Sequence, residues 1–301
     1  MDQVYVVQLP HPEPFRFRHG VLLAATLWTT LYAGVLLLPE FYDMGILEHL
    51  RYMLHHPLAI FLGAPFAVPL LFILGVHEMG HFLTARRYGI QVTWPYFIPG
   101  PPYLSLGTFG AFIRLKSPIA TRGILMEVGA MGPLWGFGAS VLVALLGFWL
   151  GLVGYHSPAD LGMNVNLPLA FWALRGVMTH HWSHQITFFE NPVLLAAWIG
   201  FFVQGLNLIP IGQLDGGHVL YGFLRSRHRA VSLALGLVCL AFALFHPQWI
   251  IWVGLIFFVL GLRHPPCIDD SQPLSSAQVL LGLAAILMFA LCFLPIPFIW
   301  S

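Results

Sequence analysis

The sequence predicts an all-α polytopic membrane protein with about seven transmembrane helices, a re-entrant or membrane-edge β-hairpin and one broken helix. Of its 301 residues, 58% are hydrophobic and only 8% are charged, whereas soluble domains carry roughly 25% charged residues. The apolar residues gather in segments of about 20, the length that a helix needs to cross a bilayer. We therefore expect one integral membrane domain over residues 1–301. The net charge of +1, without a basic tract, gives no reason to expect nucleic-acid binding.

Seven apolar segments are the candidate crossings. In chain order they are residues 20–38, 58–85, 123–153, 192–225, 231–245, 249–262 and 279–298. No cleavable signal peptide precedes the first segment, so we expect residues 20–38 to remain as an N-terminal anchor helix. The last three segments form a C-terminal group over residues 231–298. The fourth segment is interrupted around residues 207–217, where a proline and several glycines break helical continuity.

Residues 93–116 have a different pattern. They are rich in proline and glycine, and then alternate between apolar and other residues from Gly107 to Lys116. This pattern predicts a β-hairpin rather than a crossing. Irregular backbone at membrane depth needs protein or water around it, so we expect the hairpin to lie at the membrane edge or to re-enter the membrane.

The positive charges predict the orientation. If the hairpin returns to the side that it left, only Arg51 and Arg175 of the 13 Lys and Arg residues fall outside the cytoplasmic side. We therefore expect a cytoplasmic N-terminus and a location in a bacterial cytoplasmic membrane. The main extracytoplasmic loop would then be residues 154–190. Its histidines lack a carboxylate or cysteine pattern, and we interpret them as polar surface rather than a second metal site; they are His156, His180, His181 and His184.

An H-E-x-x-H motif lies near the end of the second segment, at His77, Glu78 and His81. Positions four apart share a helix face, so the two imidazoles can hold one metal ion together. Glu78 is then placed to activate a metal-bound water. Ionisable groups at membrane depth are costly and indicate a functional site. At 1.5 Å per residue, His81 and His77 lie roughly 8 and 14 Å from Arg86 at the cytoplasmic edge.

A catalytic zinc ion takes three protein ligands and one water, so the motif needs a third ligand. Besides Glu78, the acidic residues within apolar surroundings are Glu127 and Asp215. Asp215 is favoured because it lies in the interrupted fourth segment, where a broken helix frees backbone groups to line a site. Glu127 remains the alternative, because it follows Arg122 closely and can pair near the interface.

Two motifs in this order resemble the site-2 protease family of intramembrane zinc metalloproteases: HEMGH at residues 77–81 and NLIPIGQLDGG at residues 207–217. The stretches GTFGAFIRL, at residues 107–115, and GAMGPLWGF, at residues 129–137, are similar to that family's hairpin and third core helix. The resemblance covers about residues 66–226, which we take as the catalytic core. No PDZ-like or CBS-like insertion is present, so the chain resembles a stand-alone member.

The resemblance implies a zinc-dependent endopeptidase that cuts peptide bonds in or near transmembrane segments, as in regulated intramembrane proteolysis. Its partners would be single-span membrane-protein substrates and the lipid bilayer. One Zn²⁺ per chain would be held by His77, His81 and Asp215, with Glu78 as general base. Asn207 and His218 would contact the substrate or the developing oxyanion.

A spanning substrate helix hides its peptide bonds in its own hydrogen bonds and must unwind to be cut. The hairpin offers an edge strand to which an unwound substrate can add by β-augmentation. We expect this edge at Gly107, Phe109, Gly110 and Phe112.

Three other interpretations remain. The His, Glu and Asp residues of the motif would serve as transit ligands in a divalent-metal transporter or channel. An inactive relative would bind membrane helices without cutting them. A zincin whose third ligand is a glutamate on a later helix would need Glu127 or Glu190.

Overall fold

Apolar helices and two small antiparallel sheets make up the described part of the chain. The computed structural model describes residues 14–41, 44–152, 164–180, 185–187, 191–246, 249–254, 261 and 266–299.

The first two long helices lie side by side and run in opposite directions. Helix α1 spans Phe17–Leu36, and α3 spans Ala64–Arg87. Between them lie the short helix α2, Ile46–His55, and two 3-10 turns. The turn Pro57–Gly63 joins α3 directly, so the second apolar segment stays helical through its prolines.

Helix α5, Arg122–Leu152, lies antiparallel to α3 and crosses it at very short range. A side chain on Gly80 would overlap the backbone of Met131 and Gly132. Small residues allow membrane helices to approach each other closely. This crossing brings the H-E-x-x-H segment of α3 against the GAMGPLWGF segment of α5.

The predicted hairpin is confirmed. Strand β1, Tyr96–Pro99, pairs antiparallel with β2, Thr108–Phe112, and the short helix α4, Pro102–Ser105, connects them. Gly107 opens β2 with a φ of 84°, a conformation that favours glycine. Its carbonyl oxygen accepts a hydrogen bond of 2.6 Å from the hydroxyl of Thr29, which ties the hairpin to α1.

The segment predicted as the main extracytoplasmic loop, residues 154–190, contains secondary structure that was not predicted from the sequence. This segment contains β3 (Asn164–Asn166), α6 (Leu169–Thr179) and β4 (Gln185–Thr187), and β3 also pairs with β5 (Phe298–Ile299). Although α6 is too short to cross a bilayer, it buries Phe171 against the rings of Phe148 and Phe201.

The histidines of this segment are only partly described. His180 caps the end of α6 in the left-handed conformation, whereas His156, His181 and His184 lie outside the described residues. The interpretation of these histidines as polar surface stays a prediction.

The broken helix is confirmed. Helix α7 spans Pro192–Asn207, and α8 starts anew at Asp215 and ends at Leu224. The other α-helices of the described residues are α9 (His228–Phe245), α10 (Ile250–Gly254) and α11 (Ser276–Cys292). Residues between α7 and α8 form turns, and Gly212 has a φ of 58°.

The prediction of about seven transmembrane helices is not confirmed as a number. In the described residues, four helical stretches are long and apolar enough to span a membrane: Phe17–Leu36, Pro57–Arg87, Arg122–Gly151 and Asp215–Phe245. Three shorter apolar helices accompany them: α6, α7 and α11. The sixth segment, residues 249–262, falls largely outside the described residues.

One end of the bundle collects the helix termini that carry positive charge. The start of α5 meets the end of α3 through Tyr88 and Glu127, and the end of α8 through a 2.9 Å bond from Arg122 to the carbonyl of Gly222. The Arg18 guanidinium lies over the ring of Tyr96. The hairpin base and the N-terminus of α1 therefore lie at the same end, as the charge pattern predicts.

The contact between α1 and the turn before α3 gives a test of this packing. A side chain on Gly34 would overlap the backbone of Gly63, whereas Gly138 on α5 has open space around it. Gly34→Ala should destabilise the protein by about 1–3 kcal/mol through overpacking. Gly138→Ala should be neutral or stabilise it by up to about 1 kcal/mol, because alanine favours helix.

Thermal unfolding in detergent micelles, followed by tryptophan fluorescence, measures both variants. Equal melting temperatures for the two would contradict the close approach of α1 to Gly63.

Candidate metal centre

Two imidazoles meet on the buried face of α3. His77 and His81 lie one helical turn apart and are 4% and 7% exposed. Their Nε2 atoms are 3.1 Å apart. The helical spacing of the motif therefore places two metal-binding nitrogen atoms at one point, as predicted.

Asp215 completes the group from the other side of the helix break. It is the first residue of α8, and its Oδ2 and Oδ1 lie 3.3 Å from Nε2 of His77 and of His81 respectively. The three residues offer donor atoms within 4.8 Å of one another, an arrangement able to hold a metal ion.

Glycines after Asp215 let the broken segment fold back on itself. A side chain on Gly216 would overlap the carbonyl of Leu208, and one on Gly217 would overlap that of Gly212. The turn therefore fits under the first turn of α8 only because these two positions carry no side chain. A carboxylate at a helix N-terminus also interacts favourably with the helix dipole.

The second ring nitrogen of each histidine has its own partner. His77 Nδ1 lies 2.7 Å from Oε1 of Gln204 on α7, and His81 Nδ1 lies 2.7 Å from the backbone carbonyl oxygen of Val128 on α5. Both acceptors favour the tautomer that carries its proton on Nδ1, which leaves the two Nε2 atoms free to bind a metal.

Neither partner was identified from the sequence. For Gln204 a signal existed: it is an amide within an apolar helix, and polar groups at membrane depth are candidates for function. The sequence gave no signal for the Val128 carbonyl, because every residue has a backbone carbonyl group whatever its side chain.

The ring of His81 rests on α5 at a position without a side chain. A Cβ atom on Gly132 would overlap this imidazole. Gly80 and Gly132 thus bring the two helices close and leave room for the ring between them. Close packing against His81 therefore explains why the segment at residues 129–137 has glycine at position 132.

Glu78 is buried at 6% exposure and is not one of the three donors. The backbone amide of Ile113, one residue beyond β2, lies close to its carboxylate. The hairpin edge and the predicted general base are therefore neighbours.

Glu127, the alternative ligand, has other partners. Tyr88 donates to its Oε2 at 2.5 Å, and Gln278 donates to its Oε1 at 2.9 Å. Burial, and then the hydrogen bond to Glu127, raise the pKa of Tyr88 to about 12, so this phenol remains a donor. Glu127 joins α3, α5 and α11 instead of serving the histidines, whereas Glu190 lies outside the described residues.

The remaining predicted site residues lie on either side of the break between α7 and α8. Asn207 is the last residue of α7 and is half-buried. His218 lies one turn after Asp215 on α8, and its Cβ lies over Gly129 of α5. Their contacts with a substrate stay predictions.

Two of the four residues predicted for the hairpin edge have exposed side chains. Phe109 is 66% and Phe112 is 45% exposed, although Gly107 lies against α1. Large apolar side chains thus stand on an open strand next to Glu78.

The donor set fits zinc. Two imidazoles and one carboxylate are the ligand types that catalytic zinc sites use, with a fourth position left for water or substrate. Magnesium and calcium prefer all-oxygen sites. The convergence of both Nε2 atoms on one carboxylate, with each Nδ1 already bonded, is the geometry that such an ion requires.

Comparisons with known proteins agree with this geometry. Residues 65–245 match the model of peptidase family M50. Over 248 residues, 79% of this chain, the sequence is 31% identical to "Probable zinc metalloprotease EGY2, chloroplastic" of Arabidopsis thaliana. It is 34% identical over 75% of its length to the protein of that name from Oryza sativa subsp. indica. No solved structure matches the chain.

These comparisons also bear on size and location. The chain spans 43% and 41% of the lengths of these two relatives. Their names describe them as chloroplastic, so the expectation of a bacterial cytoplasmic membrane finds no support.

The family match covers more than half of the chain and includes the H-E-x-x-H motif and Asp215. The chain belongs to peptidase family M50, the site-2 protease family.

Proposed function

We propose that the protein is a zinc metalloendopeptidase that hydrolyses peptide bonds in or near the transmembrane segments of single-span membrane proteins. One observation carries the proposal: His77, His81 and Asp215 converge inside a bundle of apolar helices, with Glu78 beside them. The names of the relatives support the chemistry. The depth of the site supports a substrate that is itself in the membrane.

His77, His81 and Asp215 would hold the zinc ion. When bound, zinc supplies Lewis-acid activation of a carbonyl group and of water. Glu78 accepts a proton from the attacking water and later returns it to the nitrogen of the leaving amine.

Asn207 and His218 supply hydrogen-bond donors beside the reacting carbonyl. A donor aimed at the developing oxyanion stabilises the transition state more than the ground state. Asn207 ends α7 just before the break, and His218 lies in the first turn of α8 just after it.

The substrate would reach Glu78 along β2. Successive residues of a strand direct their amides to opposite sides. The Ile113 amide faces Glu78, so the Phe112 amide faces β1, and the Ala111 amide faces the open side. An unwound substrate pairs with this open side, while Phe109 and Phe112 contact its side chains.

The orientation follows from the positively charged end of the bundle. The positive-inside rule assigns this end, and with it the N-terminus, to the cytoplasmic side. Water, the second reactant of a hydrolysis, would then reach the metal centre from that side.

Replacing the general base tests the proposed activity. Glu78→Gln should lower the rate of cleavage of a purified single-span substrate by at least about 100-fold, because the amide accepts no proton. The variant should still bind zinc. Glu48→Gln, the same chemical change at an exposed position on α2, is the control and should cleave normally.

Mass spectrometry of the products and metal analysis of each protein measure both effects. Cleavage that survives both Glu78→Gln and a chelator would refute the metalloprotease. Metal flux without cleavage would favour a transporter instead.

A second substitution tests the open strand edge. Ala111→Pro removes the amide that faces the open side and should slow cleavage at least about tenfold, since a strand-addition contact loses its main-chain hydrogen bond. Ala111→Val keeps the amide and should retain most of the rate.

Zinc content should equal that of the wild type in both variants, which excludes loss of fold as the cause. An unchanged rate in Ala111→Pro would count against pairing along this edge.

A further inference from the structure

We propose that Gln204 is a positioning residue of the metal centre: its side-chain oxygen holds His77 in the tautomer and orientation that present Nε2 to the metal. The inference rests on the proposed function and adds a residue that lies outside both sequence motifs.

Partners on both ring nitrogens fix the orientation and the tautomer of His77. Its Nε2 faces Asp215 at 3.3 Å, and its Nδ1 faces Gln204 Oε1 at 2.7 Å. An imidazole that binds a metal through Nε2 carries its proton on Nδ1, and this N–H needs an acceptor. The Gln204 amide therefore turns its oxygen towards His77, which donates the hydrogen bond.

The two histidines are held differently. His81 donates to the backbone carbonyl of Val128, which no substitution removes. The acceptor for His77 Nδ1 is instead a side chain, that of Gln204 on α7, which a substitution can remove. Gln204 lies on α7 one turn before the break, so it connects His77 of α3 to the segment that leads to Asp215.

Packing alone does not explain why residue 204 carries an amide rather than an apolar side chain of the same size. Gln204 is fully buried, and among the described residues its Nε2 has no hydrogen-bond partner. A Cβ atom on Gly136 would overlap this amide group, so α5 makes room for it. A buried donor without a partner destabilises a fold, and leucine would fill the same space without that penalty. The oxygen, rather than the volume, is what this position supplies.

Two substitutions separate these roles. Gln204→Leu removes the acceptor and keeps the approximate volume, whereas Gln204→Glu keeps an acceptor at the same reach. The purified full chain in detergent micelles is titrated with zinc against a fluorescent chelator. Gln204→Leu should bind zinc roughly 10–100-fold more weakly, the usual effect of losing such a partner. The melting temperature of the metal-free protein should change little, because the substitution removes the unpaired Nε2 together with the hydrogen bond to His77.

Gln204→Glu should bind zinc at least as tightly as the wild type, because a carboxylate acceptor raises the basicity of the imidazole. Ser140→Ala is the matched control. Ser140 is also fully buried, on α5, and its hydroxyl donates to the carbonyl oxygen of Gly136 one turn earlier in the same helix. Its loss should leave zinc affinity unchanged.

The outcomes distinguish the inference from the function on which it rests. A wild-type protein that binds no zinc would overturn the proposed function and the inference together. Wild-type affinity in Gln204→Leu would overturn the inference alone. Equal losses of affinity and of melting temperature in the Leu and Glu variants would also overturn it, since they would show a structural role.

Discussion

One carboxylate and two imidazoles share a single point inside a bundle of apolar helices, and much of the fold serves this contact. Groups of this kind are expensive to bury unless each is paired. Here Asp215 faces both Nε2 atoms, and the two Nδ1 atoms are bonded to Gln204 and to the Val128 carbonyl. Four helices, α3, α5, α7 and α8, each contribute one part of this arrangement.

These helices can approach one another closely because glycines lie at the points of contact. Gly80 and Gly132 let α3 and α5 cross with the His81 ring between them, and Gly129 receives His218 from α8. The turn before Asp215 folds back because Gly216 and Gly217 leave space for backbone carbonyls. A side chain at any of these glycines would push apart the backbones or rings that meet at the site.

Local patterns allowed much of the site to be predicted from the sequence. The spacing of His77 and His81 follows from the period of a helix, and the position of Asp215 follows from the proline and glycines around it. The hairpin was recognisable from its alternation, and the structure confirms its strands.

Parts of the structure that depend on tertiary contacts were not predictable. Gln204 becomes informative only when α7 is placed beside His77, and Glu127 loses its role as alternative ligand only when Tyr88 and Gln278 are seen to bind it. Helix α6 was missed because its 11 residues are too few to span a membrane, although they bury Phe171 in the core.

The claim that one metal ion joins the two halves of a split site is tested most directly by its coordination. Zinc K-edge X-ray absorption on the purified protein should show one zinc ion per chain with two imidazole nitrogens and a carboxylate oxygen at about 2.0–2.2 Å. Asp215→Asn should lose the carboxylate ligand and most of the zinc. Asp269→Asn, at a carboxylate that accepts hydrogen bonds from Ser271 and is not one of the three donors, should keep both. A wild-type site without two imidazoles, or one unchanged by Asp215→Asn, would contradict the account.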